Sequence, residues 1–160
     1  MRRPSSILLK RCLLLFWPVW LTVVFTTNVL DGCKALGLLG QSWAFASGNC
    51  RFLEETTARY GTPAWLNGLL FVGVIGWEGA AAVLFWLAWL RFRENEERAW
   101  LLYAAFTVSL TLWSAFLIAD ELFIAYAVEG THLRLFTAQL ATLLAVELLP
   151  DGPAGEPGRT

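Results

Sequence analysis

Charge is what this sequence has least of. Only 16% of its 160 residues are Asp, Glu, Lys or Arg, and they nearly cancel to a net charge of −1. That balance excludes a protein that holds nucleic acid by neutralising phosphates with a basic surface. Histidine occurs once, at His132, too few for a bis-histidine haem or a two-histidine zinc motif. Cysteine occurs as Cys12, Cys33 and Cys50, with no pair at CxxC spacing, so neither a zinc ribbon nor a dithiol redox motif is present. Gly-rich phosphate loops and the HExxH and GxSxG signatures are missing too. The sequence therefore gives no reason to expect a catalytic residue, a metal or a cofactor.

What it has in excess is apolar surface. The hydrophobic fraction is 57%, there are nine Trp, and the mean hydropathy is +0.55, outside the composition of a soluble domain with a polar surface. The apolar residues gather into long runs between charge clusters. A hydrocarbon core about 30 Å thick needs roughly 20 such residues in a helix, so the expected fold is an all-α membrane protein, a four-transmembrane-helix bundle within one domain, 1–149.

The first span covers about 12–30, behind Arg2, Arg3, Lys10 and Arg11, with Pro18 inside it. It exceeds the ~7–15 apolar residues of a signal-peptide h-region and no A-x-A site follows, which favours a retained anchor over a cleaved leader. The second covers about 64–90, opening after Thr62-Pro63 and closing at Arg91, as a helix start and stop should. The third covers about 99–127 and crosses Asp120-Glu121; the fourth covers about 132–149 and is stopped by Pro150. The Pro- and Gly-rich tail 150–160 has the composition of a disordered segment.

Lys and Arg fix the expected orientation. With the N-terminus inside, Arg2, Arg3, Lys10, Arg11, Arg91, Arg93, Arg98 and Arg159 lie in the cytoplasm, against only Lys34, Arg51, Arg59 and Arg134 outside. The positive-inside rule then gives N-in/C-in. Most Trp lie near span ends, as an aromatic belt would put them, although Trp77 and Trp113 sit deep. The outer loop 31–63 holds both Cys33 and Cys50, a candidate disulfide in an oxidising compartment, contributing about 3 kcal/mol if formed; two free thiols are the alternative. Within the loop, Leu36–Phe45 reads as an interfacial apolar stretch and Arg51–Tyr60 as a short polar helix.

The polar residues inside the spans are the candidate site. An ionised Glu78 at mid-span costs on the order of 2.5–3.5 kcal/mol without a partner. At ~1.5 Å per residue, Glu78 lies about 20 Å above Arg91, Arg134 about 24 Å above Pro150 and Asn28 about 25 Å above Arg11. These depths predict one cluster of Glu78, Arg134 and Asn28, with Asp120 and Glu121 higher, near the outer interface, as a second set of partners for Arg134. The cluster serves either to hold helices in register or to bind a proton, cation or polar ligand. His132 reads as an exposed interfacial residue; no spacing makes it a metal ligand with Asp31, Asp120, Glu121 and Glu129. Gly76 and Ala80, with Gly79 beside them, and the pairs Ala138-Thr142 and Ala141-Ala145 mark faces where helices can approach closely.

Trp77-Glu78, the acidic pair Asp120-Glu121 and the segment Thr131-His132-Leu133-Arg134-Leu135-Phe136 give the chain a resemblance, from Leu15 to Leu149, to a bacterial family of predicted small integral membrane proteins of unknown function. The resemblance implies four membrane helices and a bacterial origin, hence a multi-pass protein of a bacterial cytoplasmic membrane, and assigns no activity or site. The function expected is that of a non-enzymatic accessory protein or complex subunit. Its partners are the lipid bilayer and either another membrane protein or further copies of the chain. The alternative is a small carrier or proton-coupled component using Glu78. A quinone-linked thiol oxidoreductase ranks below both, because Cys33 and Cys50 are not a closely spaced reactive pair.

Overall fold

A chain crossing a membrane must satisfy its own backbone N–H and C=O groups there, which favours helices over its long apolar runs. A computed structural model describes residues 6–92 and 99–150 of the chain, and every regular element among them is helical. Helix α1 is Ser6–Ala35, α2 is Asn49–Thr57 followed by a 3₁₀ turn at Ala58–Tyr60, α3 is Ala64–Leu90, α4 is Ala99–Phe123 and α5 is Tyr126–Leu148. The charged turn 93–98, Arg2, Arg3 and the tail 151–160, on which part of the orientation argument and the expected disorder rest, lie outside the described residues.

The long helices form a ring in chain order, each antiparallel to the next. Trp89 Nε1 donates to the carbonyl of Arg11 and Trp86 Nε1 to Thr22 Oγ1, pairing the start of α1 with the end of α3. Phe85 meets Phe106 between α3 and α4 at 5.0 Å between ring centroids, Tyr103 bonds Glu147 between α4 and α5, and Trp17 Nε1 closes the ring on Thr142 of α5 at 3.1 Å. One half of the interior is a dry core of Leu14, Trp17 and Leu21 from α1, Ala81 and Phe85 from α3, Leu101, Ala105 and Phe106 from α4, and Val146 from α5. The buried polar residues Asn28, Asp31, Asn67, Glu78 and Asp120 collect in the other half, toward the end of α1 and the start of α3.

Three helices, α1, α3 and α4, are long and apolar enough to cross a membrane. Helix α5 has 23 residues, about 34 Å at the helical rise, but carries Glu129, His132, Arg134, Gln139 and Glu147 and falls below the apolarity of the other three.

Several boundaries differ from the sequence expectation. Helix α1 begins at Ser6 and extends to Ala35, because the helix continues past the apolar stretch at both ends. It also continues through Pro18; Thr22 Oγ1 donates to the Pro18 carbonyl at 2.6 Å. The third span ends at Phe123 instead of 127, and the next helix starts at Tyr126 instead of 132. Ile124 takes a left-handed conformation, φ 56°, and Ala125 N–H returns to the Asp120 carbonyl at 2.7 Å. A turn made of apolar residues leaves no hydropathy break. Gly76 and Ala80 are exposed, so the described residues do not make the expected packing through them. The close approach is at Gly79, where a Cβ would lie 3.0 Å from the Phe25 ring. Between α1 and α2, Leu36–Phe45 forms irregular turns with Leu36, Leu38, Trp43 and Phe45 exposed.

Candidate functional site: a polar chain under the α1–α3 connection

The site starts from the bare backbone at Gly79. With no side chain there, α1 lays Phe25 against α3, and one turn further along α1 the amide of Asn28 comes into reach of Glu78. Asn28 Nδ2 donates to Glu78 Oε2 at 2.7 Å, with Asn28 only 1% and Glu78 3% exposed. A hydrogen bond to a carboxyl group in such a place is shorter and stronger than one facing water.

The chain of contacts continues upward. Asn49, the first residue of α2, donates from Nδ2 to Asn28 Oδ1 at 2.9 Å. Three side chains thus lead from the exposed connection between α1 and α3 to a carboxyl group at the middle of α3. The loop is set by Asp31, whose Oδ2 accepts the Cys50 N–H at 2.8 Å and the Ser47 hydroxyl at 3.3 Å. A carboxylate there satisfies an otherwise free N–H at the start of α2 and favours the positive end of its dipole. Gly48 turns the chain into α2 at φ 78°, a conformation that other residues rarely adopt. At the far end of α2, Thr57 Oγ1 donates to Asn67 Oδ1 of α3 at 2.8 Å, so the short helix is fastened at both ends.

Chemically, the three side chains can be satisfied in two ways. As placed, both amides donate toward Glu78, which accepts. With both amides turned over, a protonated Glu78 donates to Asn28 and Asn28 donates to Asn49, since amide oxygen and nitrogen exchange roles on a flip.

Two further polar contacts tie α4 to α5. His132 Nδ1 and Asp120 Oδ2 are 2.6 Å apart, and the imidazole stacks on Phe116 and Trp113 at centroid distances of 4.9 and 6.2 Å. Deeper, Gln139 Nε2 donates to Ser109 Oγ at 2.6 Å. Gln139 Oε1 and Trp113 Nε1 are buried without a hydrogen-bond partner among the described residues.

The structure separates the residues that depth arithmetic had grouped. Asn28 and Glu78 meet, but Arg134 does not join them: it is exposed on α5 and forms no ion pair among the described residues. Equal depth does not place two residues on facing sides of their helices, and Arg134 points away from the ring. Asp120 is buried against His132, while Glu121 is exposed, so neither pairs with Arg134. His132 is a half-buried partner of Asp120 and not an exposed interfacial residue. Cys33 and Cys50 are unbridged, half-buried thiols. Burial, with the Glu54 and Asp31 carboxylates nearby, pushes the Cys50 thiol above its ordinary range.

Sequence reasoning missed Asn49, Ser109 and Gln139. Asn49 gave no signal, because its role depends on a loop folding back over α1. Gln139 and Ser109 did carry one: each is a hydrogen-bonding side chain within an apolar run, and such residues seek partners on neighbouring helices. Comparison of the chain with protein families, with curated proteins and with solved structures finds no match in any of the three.

Proposed function

We propose that the chain is a non-enzymatic accessory protein or complex subunit of a bacterial cytoplasmic membrane, crossing it four times with both ends inside. The observation that carries this reading is the closure of Glu78. The group that could most readily have been a transport site is 3% exposed, bonded to Asn28 and covered through Asn28 by Asn49 of the outer loop. A groove along α1, lined by Cys12, Leu15, Phe16, Val19, Trp20 and Val23, and a cleft beside α2 and the α4–α5 turn are both built without Glu78. The polar chain serves here as a latch between loop and spans. Support for the fourth span comes from the length of α5 and its antiparallel place in the ring; support for the orientation comes from the distribution of Lys and Arg.

One observation favours the alternative, a proton-coupled component: among the described residues Glu78 has a neutral amide as its partner and no cation. Glu78→Gln separates the two. It keeps the hydrogen-bonding shape and removes the proton exchange. For a structural latch, the purified chain in proteoliposomes shows no pH-driven flux that distinguishes wild type from the variant, and Glu78→Leu lowers accumulation in membranes. Normal accumulation of Glu78→Gln together with loss of a wild-type, pH-dependent flux would establish the transport reading instead.

A further inference from the structure

Helix α5 is the least enclosed of the long helices: only Gln139 and Val146 of its 23 residues are buried. Its outward side carries the exposed Leu133, Leu140, Leu144 and Leu148, as a lipid-facing helix would, with one guanidinium among them. Arg134 is exposed there, eight residues in from Tyr126, which puts its Cα about 12 Å below the start of the helix. It has no carboxylate partner among the described residues; the exposed Arg51 of the outer loop, by contrast, is paired with Glu55 at 2.7 Å. Along the same side Gly130, Arg134, Thr137, Ala141, Leu144 and Leu148 are all exposed. They alternate at four- and three-residue spacing, the period at which one helix packs along another with a small left-handed crossing. Gly130, Thr137 and Ala141 are small enough for a second backbone to come close beside the guanidinium.

We infer that this face of α5 is the docking surface for a transmembrane helix of a different membrane protein, one that carries an Asp or Glu at the depth of Arg134. The inference rests on the four-span subunit reading and names the chemistry of the partner. Charge decides between the two occupants such a seam could take. In a two-fold pairing of copies, which share one orientation in the membrane, Arg134 would lie level with Arg134 of its mate, and like charges in that position oppose association. A carboxylate on a foreign helix completes the guanidinium and meets its geometry with two parallel hydrogen bonds.

The test uses the full chain in phosphatidylcholine vesicles with synthetic transmembrane peptides of Leu and Ala that carry a single Glu, Gln or Lys nine residues from the outer end. Energy transfer between labelled chain and labelled peptide should report the Glu peptide binding about tenfold more tightly than the Gln peptide, the factor that an interhelical polar contact in lipid provides, with the Lys peptide failing to bind. Arg134→Leu should abolish the preference, Arg134→Lys should keep most of it, and Thr137→Trp should block both the Glu and the Gln peptide. Equal binding of the three peptides would overturn the inference, as would transfer between copies of the chain that exceeds transfer to the Glu peptide. Thr137→Cys in a chain lacking its other cysteines distinguishes the two levels. A Cys at 137 shielded from a water-soluble maleimide, with no peptide preference, removes the inference alone. A freely reactive one removes both the inference and the spanning assignment of α5.

Discussion

Asn28 donates to Glu78 across the α1–α3 contact at 2.7 Å, and the other end of the same amide accepts from Asn49 at 2.9 Å. This one side chain joins the middle of α3 to the loop between α1 and α3. Losing either neighbour leaves buried hydrogen-bonding capacity unmet, which costs about 1–3 kcal/mol for a neutral group and more for a charged one.

Glu78→Leu and Asn28→Leu should therefore each lower the thermal midpoint in detergent, by an amount equivalent to about 2–3 kcal/mol, while the double variant should recover part of the loss. Arg134→Leu combined with Glu78→Leu should be simply additive, because the two residues do not touch. Recovery in the Arg134 pair and none in the Asn28 pair would restore the grouping that depth alone suggested.

Gly79 and Gly76 differ in what lies over them. A Cβ at Gly79 would come within 3.0 Å of the Phe25 ring, whereas none of the described residues lies within 4 Å of one at Gly76. Gly79→Ile should cost about 1–3 kcal/mol through overpacking, and Gly76→Ile should be close to neutral. Thermal unfolding of the two variants side by side checks the contrast.

Helices were legible because apolar runs of spanning length leave few alternatives in lipid. The depth of Asn28 relative to Glu78 was legible as well, since the helical rise is fixed. Which way a residue faces was not. Arg134 lies at a matching depth and points outward, and Gly76 belongs to a small-residue pattern that faces away from its own bundle while Gly79 makes the contact. Rotation about a helix axis is set by packing against neighbours, and a uniformly apolar helix carries little periodic signal of it. Tertiary reach defeated the sequence at Asn49 and at the His132–Asp120 contact, and a turn built from Ile124-Ala125 hid inside an apolar run.

The Cys50 thiol provides a check on the outer loop by pH. Its raised pKa, from burial first and then from Glu54 and Asp31, means a smaller thiolate fraction than an ordinary cysteine has at mildly alkaline pH, and the thiolate is the reacting form. With Cys12 and Cys33 replaced by Ser, iodoacetamide should modify Cys50 more slowly than a free peptide cysteine at pH 8. The rate should keep rising at pH values where the peptide has levelled off. Glu54→Gln should move the profile back toward lower pH. A profile matching the free peptide would mean that α2 does not pack as described.

Asp120 and His132 should behave as a pair. Asp120→Ala leaves the imidazole stacked on Phe116 and Trp113 without its partner, at a cost of about 1–3 kcal/mol. Asp120→Asn retains an acceptor oxygen for Nδ1–H and should lose less. Unfolding in detergent at pH 7.5 gives the comparison, and equal losses in the two variants would show that the hydrogen bond contributes nothing.

The four-span, both-ends-inside arrangement is tested most directly by a fusion placed after Pro150, using one reporter active only in the cytoplasm and one active only outside it. Helix α5 in the membrane, antiparallel to α4, predicts activity from the cytoplasmic reporter and silence from the other. The reverse result would put Pro150 on the outer side, remove α5 as a crossing, and with it the orientation of the outer loop over Asn28 and Glu78.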